Sequence, residues 1–189
     1  WLLREKGYDT AVLGDWCAAI YNLTPMGFEE VKVSDYDNFK IWLSQAVYMQ
    51  HFVIPLFFDN EVGYRLFPEL ESFAFFLEPE VVTDRVVKKL DRQARDKEPF
   101  FWTVFYSCNH LNYHSPDPYY KMWGDPDYNG PHKYSVALNP DEFAQNTDIG
   151  KEFAGMSKAD VEQIRALYDG CTTQFDDCVG RIVAKLKES

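Results

Sequence analysis

The side chains of this 189-residue chain best suited to chemistry stand in two short polar clusters, each directly behind an apolar run. Asp15-Trp16-Cys17 follows Thr10–Gly14, and Cys108-Asn109-His110 follows Phe100–Ser107, with His114 four positions further on. Near neutral pH a histidine can set a cation beside an oxyanion or hand a proton to a leaving oxygen. Plainer roles exist for each. His110 suits a loop histidine bonded to backbone, Asp15 a carboxylate facing solvent at a strand end, and Cys17 a small buried thiol. Pro116 and Pro118 oppose a helical alignment of His114 with His110, and His51 and His132 have no partners in sequence. Cys17, Cys108, Cys171 and Cys178 match no zinc spacing. Cys171 and Cys178, seven apart on a helix, stand about 10 Å apart along its axis, too far to bridge.

Elements must position these residues. Trp1–Lys6 reads as the last turns of a helix, with Gly7 as its left-handed stop. Thr10–Gly14 reads as a buried strand. Residues 21–78 show no sustained period and suggest an irregular excursion with short helices, for example Asn38–Gln50. Pro79–Lys97 is helical, with Val82, Val86, Val87, Leu90 and Ala94 on one side and Pro79 suited to the first turn. Phe100–Ser107 is nearly all β-branched or aromatic; its lack of alternation predicts a strand buried on both faces. Residues 109–150 are irregular, with Tyr and Trp side chains suited either to stacking on a ring or to packing. Ser157, with Asp160 three positions on, opens a helix of about eight turns.

The order predicts an α/β fold: a partial parallel or mixed sheet flanked by helices. In open parallel sheets ligands gather beyond the carboxyl ends of the strands. Those ends are Asp15–Cys17 and Cys108–His110. Only two strands are readable, too few to complete such a sheet.

Composition bounds the function. Thirty acidic against nineteen basic residues give a net charge of −11, which disfavours sequence-independent nucleic-acid binding. A small anionic substrate in a locally positive pocket remains compatible. The densest apolar stretch, Phe52–Phe58, is too short to span a membrane and is soon followed by Asp59 and Glu61.

Five ordered pieces of the chain resemble the middle of a sulfatase, in the alkaline-phosphatase-like superfamily. Leu3–Cys17 is similar to the family stretch ending in Gly-Lys-Trp-His, and Pro25–Glu30 to the Gly-Phe-Asp segment after it. Thr83-Asp84 opening a helix, with Lys97–Phe101 leading into a strand, resembles the next block. Asn109-His110 with Pro116 resembles the Pro-His-x-Pro that closes that strand. Leu167–Gly170 with Asp176–Ile182 resembles the helix before the family's second metal-binding strand.

The resemblance implies a central fragment, residues 1–189, of one sulfatase-like domain that is incomplete and inactive alone. It implies a metal-dependent hydrolase of small sulfuric esters, with Ca2+ as the expected ion. The metal ligands and the formylglycine nucleophile are expected outside this chain, because Cys/Ser-x-Pro-x-Arg and the paired aspartates are absent from it. No metal ligand is assigned within it. His110 and Asp15 are the expected catalytic residues; Cys17, His114 and Asn109 are the expected substrate contacts. Asp15 and Cys17 stand where the family usually has Lys and His. Asp15 could help hold the metal, pair with a cation beyond this chain, or mark an altered or dead site. A periplasmic or secreted location follows from the family. Two other readings stand beside this one: a phosphoesterase or phosphotransferase of the same superfamily, and a non-catalytic scaffold that kept the fold.

Overall fold

Gly7 adopts φ +78°, the left-handed turn that ends helix α1 (Leu2–Glu5) and releases the chain into strand β1 (Asp9–Gly14). The computed structural model describes residues 1–33, 61–66, 79–96, 98–110, 113–136 and 155–188. The helix expected over Asn38–Gln50, and His51, lie outside the described residues. Two compact units are present: Trp1–Ser107 with Cys178–Ser189, and Cys108–Asp177.

In the first unit β1 is the central strand of a parallel three-stranded sheet, ordered β2-β1-β3. It pairs with β2 (Glu30–Lys32) on one side and β3 (Phe100–Phe105) on the other. The α/β fold with a parallel sheet is therefore present, with one strand more than the sequence discloses. Three residues, two of them charged, carry too little pattern for β2 to be read.

Successive residues of β1 point to opposite faces. Ala11 and Leu13 pack with Val86, Leu90, Trp102, Val104 and Ile182; Val12 packs on the other face with Ala18, Val33 and Phe28. The expected burial on both faces thus belongs to β1 and not to β3. Phe100, Phe101 and Phe105 are exposed, because β3 is the edge of the described sheet.

Helix α4 (Pro79–Asp96) covers one face, and helix α6 (Lys158–Glu188) ends beside it. Between them come α2 (Ile20–Leu23) and α3 (Glu61–Leu66) before α4, and α5 (Tyr119–Met122) before α6. On α4, Val82, Val86 and Leu90 are buried as expected, but Ala94 is exposed. Gln93 takes the inward position there, since its Nε2 donates to the Glu98 carbonyl at 2.7 Å where the helix hands over to β3. Asp84 pairs with Arg181, and Asp91 with Lys185 at 2.6 Å, joining α4 to the last turns of α6.

In the second unit β4 (Tyr113–His114) pairs antiparallel with β5 (Ser135–Val136). Val136, Ile164 and Leu167 form its core, covered by Tyr113, Tyr120 and Met156. The predicted cap of α6 is present: Asp160 N–H donates to Ser157 Oγ, and Ser157 N–H donates back to the Asp160 carboxylate. No helix among the described residues is long and apolar enough to cross a membrane.

One buried cation ties the amino ends of all three strands to α4. Lys89 Nζ lies 2.8 Å from Asp9 of β1 and 2.7 Å from Glu30 of β2, and 4.7 Å over the Trp102 ring of β3. Trp102 Nε1 donates to the same Asp9 oxygen at 3.0 Å. Burial alone would push the Lys89 ammonium down, but the bonds to Asp9 and Glu30 outweigh it and hold it above the ordinary lysine value. A raised folded value gives stabilisation that is complete below the unfolded pKa and lost as pH rises through the folded one. Lys89→Met is therefore expected to destabilise the protein by about 2–4 kcal/mol, because two carboxylates lose their cation. Urea unfolding followed by circular dichroism checks this. The gap between wild type and variant should be constant from pH 7 to ~10 and close above it.

Candidate functional site

Strands β1 and β3 end together, with Gly14 opposite Phe105. A Cβ at Gly14 would stand 2.9 Å from Phe105 Cβ and 3.0 Å from its carbonyl oxygen, so only glycine lets the two ends approach this closely. The next residue, Asp15, is 4% exposed and bonds across the gap. Ser107 donates to its Oδ2 twice, from the backbone N–H at 2.5 Å and from Oγ at 2.7 Å. Cys17 N–H donates to Oδ1 at 3.1 Å, and Ala18 N–H to the Asp15 carbonyl at 3.0 Å. The carboxylate latches the two strand ends and nucleates the tight turn Trp16–Ala18. Asp15 does not face solvent.

Cys17 is half-buried beside this latch. Desolvation and then the Asp15 charge push its thiol up to about 11, with the Ser107 hydroxyl pulling slightly the other way. At neutral pH it is a protonated, weakly donating thiol and not a nucleophile.

Asn109, His110 and His114 belong to the second unit. Asn109 uses both ends of its amide: Nδ2 donates to Thr172 Oγ1 on α6 at 2.7 Å, and Oδ1 accepts from Cys108 Sγ at 3.4 Å. His110 is exposed in the turn that follows. His114 lies in β4, opposite Ser135, and its carbonyl accepts the Cys171 thiol at 3.4 Å. Desolvation holds the His114 imidazole below the ordinary histidine value, while the residue's surface stays largely open to water, which limits the shift. Neutral at pH 7, His114 can accept or donate one hydrogen bond but offers no positive charge.

The aromatic side chains of the 109–136 segment serve largely as clamps on α6. Tyr119 Oη donates to Asp177 at 2.9 Å, Trp123 Nε1 to Thr173 at 2.9 Å, and Tyr128 Oη to Asp160 at 2.6 Å. The bond from Tyr128, with those from Ser157, holds the Asp160 carboxyl below its usual value.

The predicted residues therefore fall into two groups: Asp15 and Cys17 share one cluster with Ser107, and Asn109, His110 and His114 lie in the other unit. The sequence reading missed Ser107 and Thr172. Ser107 was detectable as the small hydroxyl that ends the Phe100–Ser107 run; Thr172, on a helix face, carried no signal. Also unforeseen was the bond at 2.8 Å between Thr83 Oγ1 and the hydroxyl of Tyr106, the residue before Ser107. Among the described residues no three His, Cys, Asp or Glu side chains converge where a metal could bind. These residues by themselves do not fit a divalent ion.

Compared with known proteins, the whole chain, residues 1–189, matches the family model described as Sulfatase. It is also similar to a protein of Trinickia caryophylli named multifunctional alkaline phosphatase superfamily protein PehA, 29% identical over 124 residues. That match covers 57% of this chain and 23% of the relative, so the chain spans about a quarter of the relative it matches.

The latch makes two measurable demands. Cys17 should react with iodoacetamide at pH 8 roughly a hundredfold more slowly than an unperturbed thiol, as read by peptide mass spectrometry. Asp15→Asn turns an amide N–H2 toward N–H or O–H donors and is expected to cost about 1–3 kcal/mol in chemical denaturation. In the same variant, removal of the neighbouring charge should make Cys17 alkylation faster.

Proposed function

The chain belongs to the sulfatase family, within the alkaline-phosphatase superfamily, and from that premise we propose that it forms part of a hydrolase of small sulfate esters. Net hydrolysis takes R–OSO3− and water to R–OH and hydrogen sulfate, so the leaving oxygen must gain a proton. In this reading His110 supplies that proton or steadies a sulfate oxygen as a cation. Asn109, held by Thr172, fixes the start of the turn that carries it. Asp15 acts as a positioning residue: it sets where β3 ends and in which direction Ser107 leaves the sheet. His114, in the same unit as His110, is proposed as a neutral contact for substrate, in keeping with an imidazole held below its ordinary value.

The observation that carries the reading is the family match along all 189 residues, with the strand-end cluster standing where α/β sheets bind ligands. We place the divalent metal, Ca2+ in this reading, and the formylglycine nucleophile in parts of the protein beyond this chain. The periplasm or the cell exterior is the compartment proposed with them. Phosphate ester cleavage by an unmodified Ser or Thr is the second reading, open within the superfamily that the name of the Trinickia relative gives.

Turnover of 4-nitrophenyl sulfate against 4-nitrophenyl phosphate by the full-length protein separates the two. The sulfate is expected to be the better substrate, and His110→Ala to lower kcat/KM by about a hundredfold. The 189-residue chain alone is expected to be silent. The nucleophile peptide of the full-length protein should show the mass of formylglycine; an unmodified Ser or Thr with faster phosphate turnover favours the second reading. Full activity in His110→Ala would remove His110 from the chemistry.

A further inference from the structure

The second unit contains a cleft of about 270 Å³ in which neither the latch residues nor the histidines take part. It is smaller than the ~300–1,000 Å³ typical of drug-sized sites, a size for one ring and not for a chain. Tyr120 and Tyr134 form one wall, their rings edge-to-face with centroids 5.5 Å apart. Tyr134 is 60% exposed, a large aromatic surface left to solvent beside a built cavity. Tyr119, Trp123 and Tyr128 are clamped to α6, and Tyr128 also lines this cleft together with Tyr120 and Tyr134.

Directly behind the cleft lining is an unanswered acceptor. Gln163 of α6 lines the cleft, is 5% exposed, and has its Nε2 fixed by donation to the Lys133 carbonyl at 3.2 Å. That bond sets the orientation of the amide, and the opposite oxygen, Oε1, has no hydrogen-bond partner among the described residues. Such oxygens are rare in buried positions and call for a donor. Gly124, also in the lining, lies over it: a Cβ there would stand 2.7 Å from Oε1. The two lysines at the rim are already engaged, Lys121 with Asp117 and Lys133 with Asn129 at 3.1 Å. They do not call for an anion.

From these features we propose that the cleft is a binding subsite for a single neutral hydroxylated ring, of the pyranoside class. One C–H face of the ring lies on Tyr134, with Tyr120 at its edge, and on binding Gly124 shifts aside so that one hydroxyl donates to Gln163 Oε1. The wall gives the apolar contact and the amide oxygen gives the polar one, the usual division of labour in small-ligand sites. Binding needs no ester bond to break, so this subsite stands independently of the hydrolase reading.

The test uses the whole 189-residue chain, with methyl β-glucopyranoside and methyl β-galactopyranoside as probes, each beside its monosulfate. Saturable binding with Kd near 1–10 mM is expected in ligand-observed NMR. It should be accompanied by a shift of the Gln163 side-chain amide resonance, which a merely structural glutamine would not show. The sulfated probes should bind no tighter than the neutral ones. Tyr134→Ala, at an exposed position that folding does not need, should weaken binding at least about fivefold, and Gln163→Leu at least about tenfold, equivalent to 1.4 kcal/mol. Absence of binding by both neutral probes, or binding that both variants leave unchanged, overturns the proposal. Clear preference for the sulfated probes also overturns it, as an anion site in place of a neutral one.

Discussion

The Asp15 carboxylate fixes how the carboxyl ends of β1 and β3 meet, and the local structure on either side follows from that. A carboxylate taken from water at 4% exposure must have its lone pairs answered, and here the donors are the N–H and hydroxyl of Ser107 and the N–H of Cys17. Ser107 is 92 residues from Asp15 in sequence. The bond is therefore a long-range constraint, and Gly14 makes it possible by removing the one Cβ that would hold the strand ends apart. The structure shows donors reaching that carboxylate from the backbone and hydroxyl of Ser107 and from the Cys17 N–H, while burial first and the Asp15 charge second raise the Cys17 thiol.

The other end of β1 is organised by the same kind of economy, with a cation among the partners in place of neutral donors alone. Asp9 opens the strand and meets Lys89 and Trp102; Asp15 closes it and meets Ser107. Between them Thr10–Leu13 is buried, and hydrophobic burial alone would tolerate a slip of two residues along β3. Polar partners at both ends do not. Asp9 faces Phe100 and Gly14 faces Phe105 in one continuous register, fixed at each end by a bond whose donor cannot move by a residue. The same logic explains why β3 tolerates exposed phenylalanines: its place depends on these end contacts as well as on its own burial.

Much of this architecture was legible in the sequence because it rests on periodicity and punctuation. Gly7 as a helix stop, Pro79 at the start of α4 and the Ser157–Asp160 cap are local signals, and the structure contains all three. The parallel pairing of β1 with β3 followed from the intervening helix. What stayed hidden depended on contacts distant in sequence. β2 is three residues long and takes its identity from β1, not from its own pattern. Gln93, Gln163 and Gln174 are buried although their polarity marks them as exposed, and for Gln93 the reason is a carbonyl in the next element. For Asp15 the sequence offers a metal, a cation beyond this chain, an altered site or solvent, because nothing in it says that Ser107 will be the neighbour.

The second unit shows a different way of holding a segment that has almost no regular structure. Between Asn109 and Val136 the described backbone forms only two-residue strands and one short helix, so few ladder bonds are available. Side chains replace them: Asn109, Tyr119, Trp123 and Tyr128 each reach a polar group on α6, spread from Asp160 to Asp177. One long helix thus acts as the template on which the loop is laid out. This ordering also decides which candidates can meet a ligand. Asn109 is committed at both ends of its amide, and His114 carries no charge at neutral pH. The proposed proton transfer therefore falls on His110, at the exposed turn between them, and the neighbours' contribution is to keep that turn where it is.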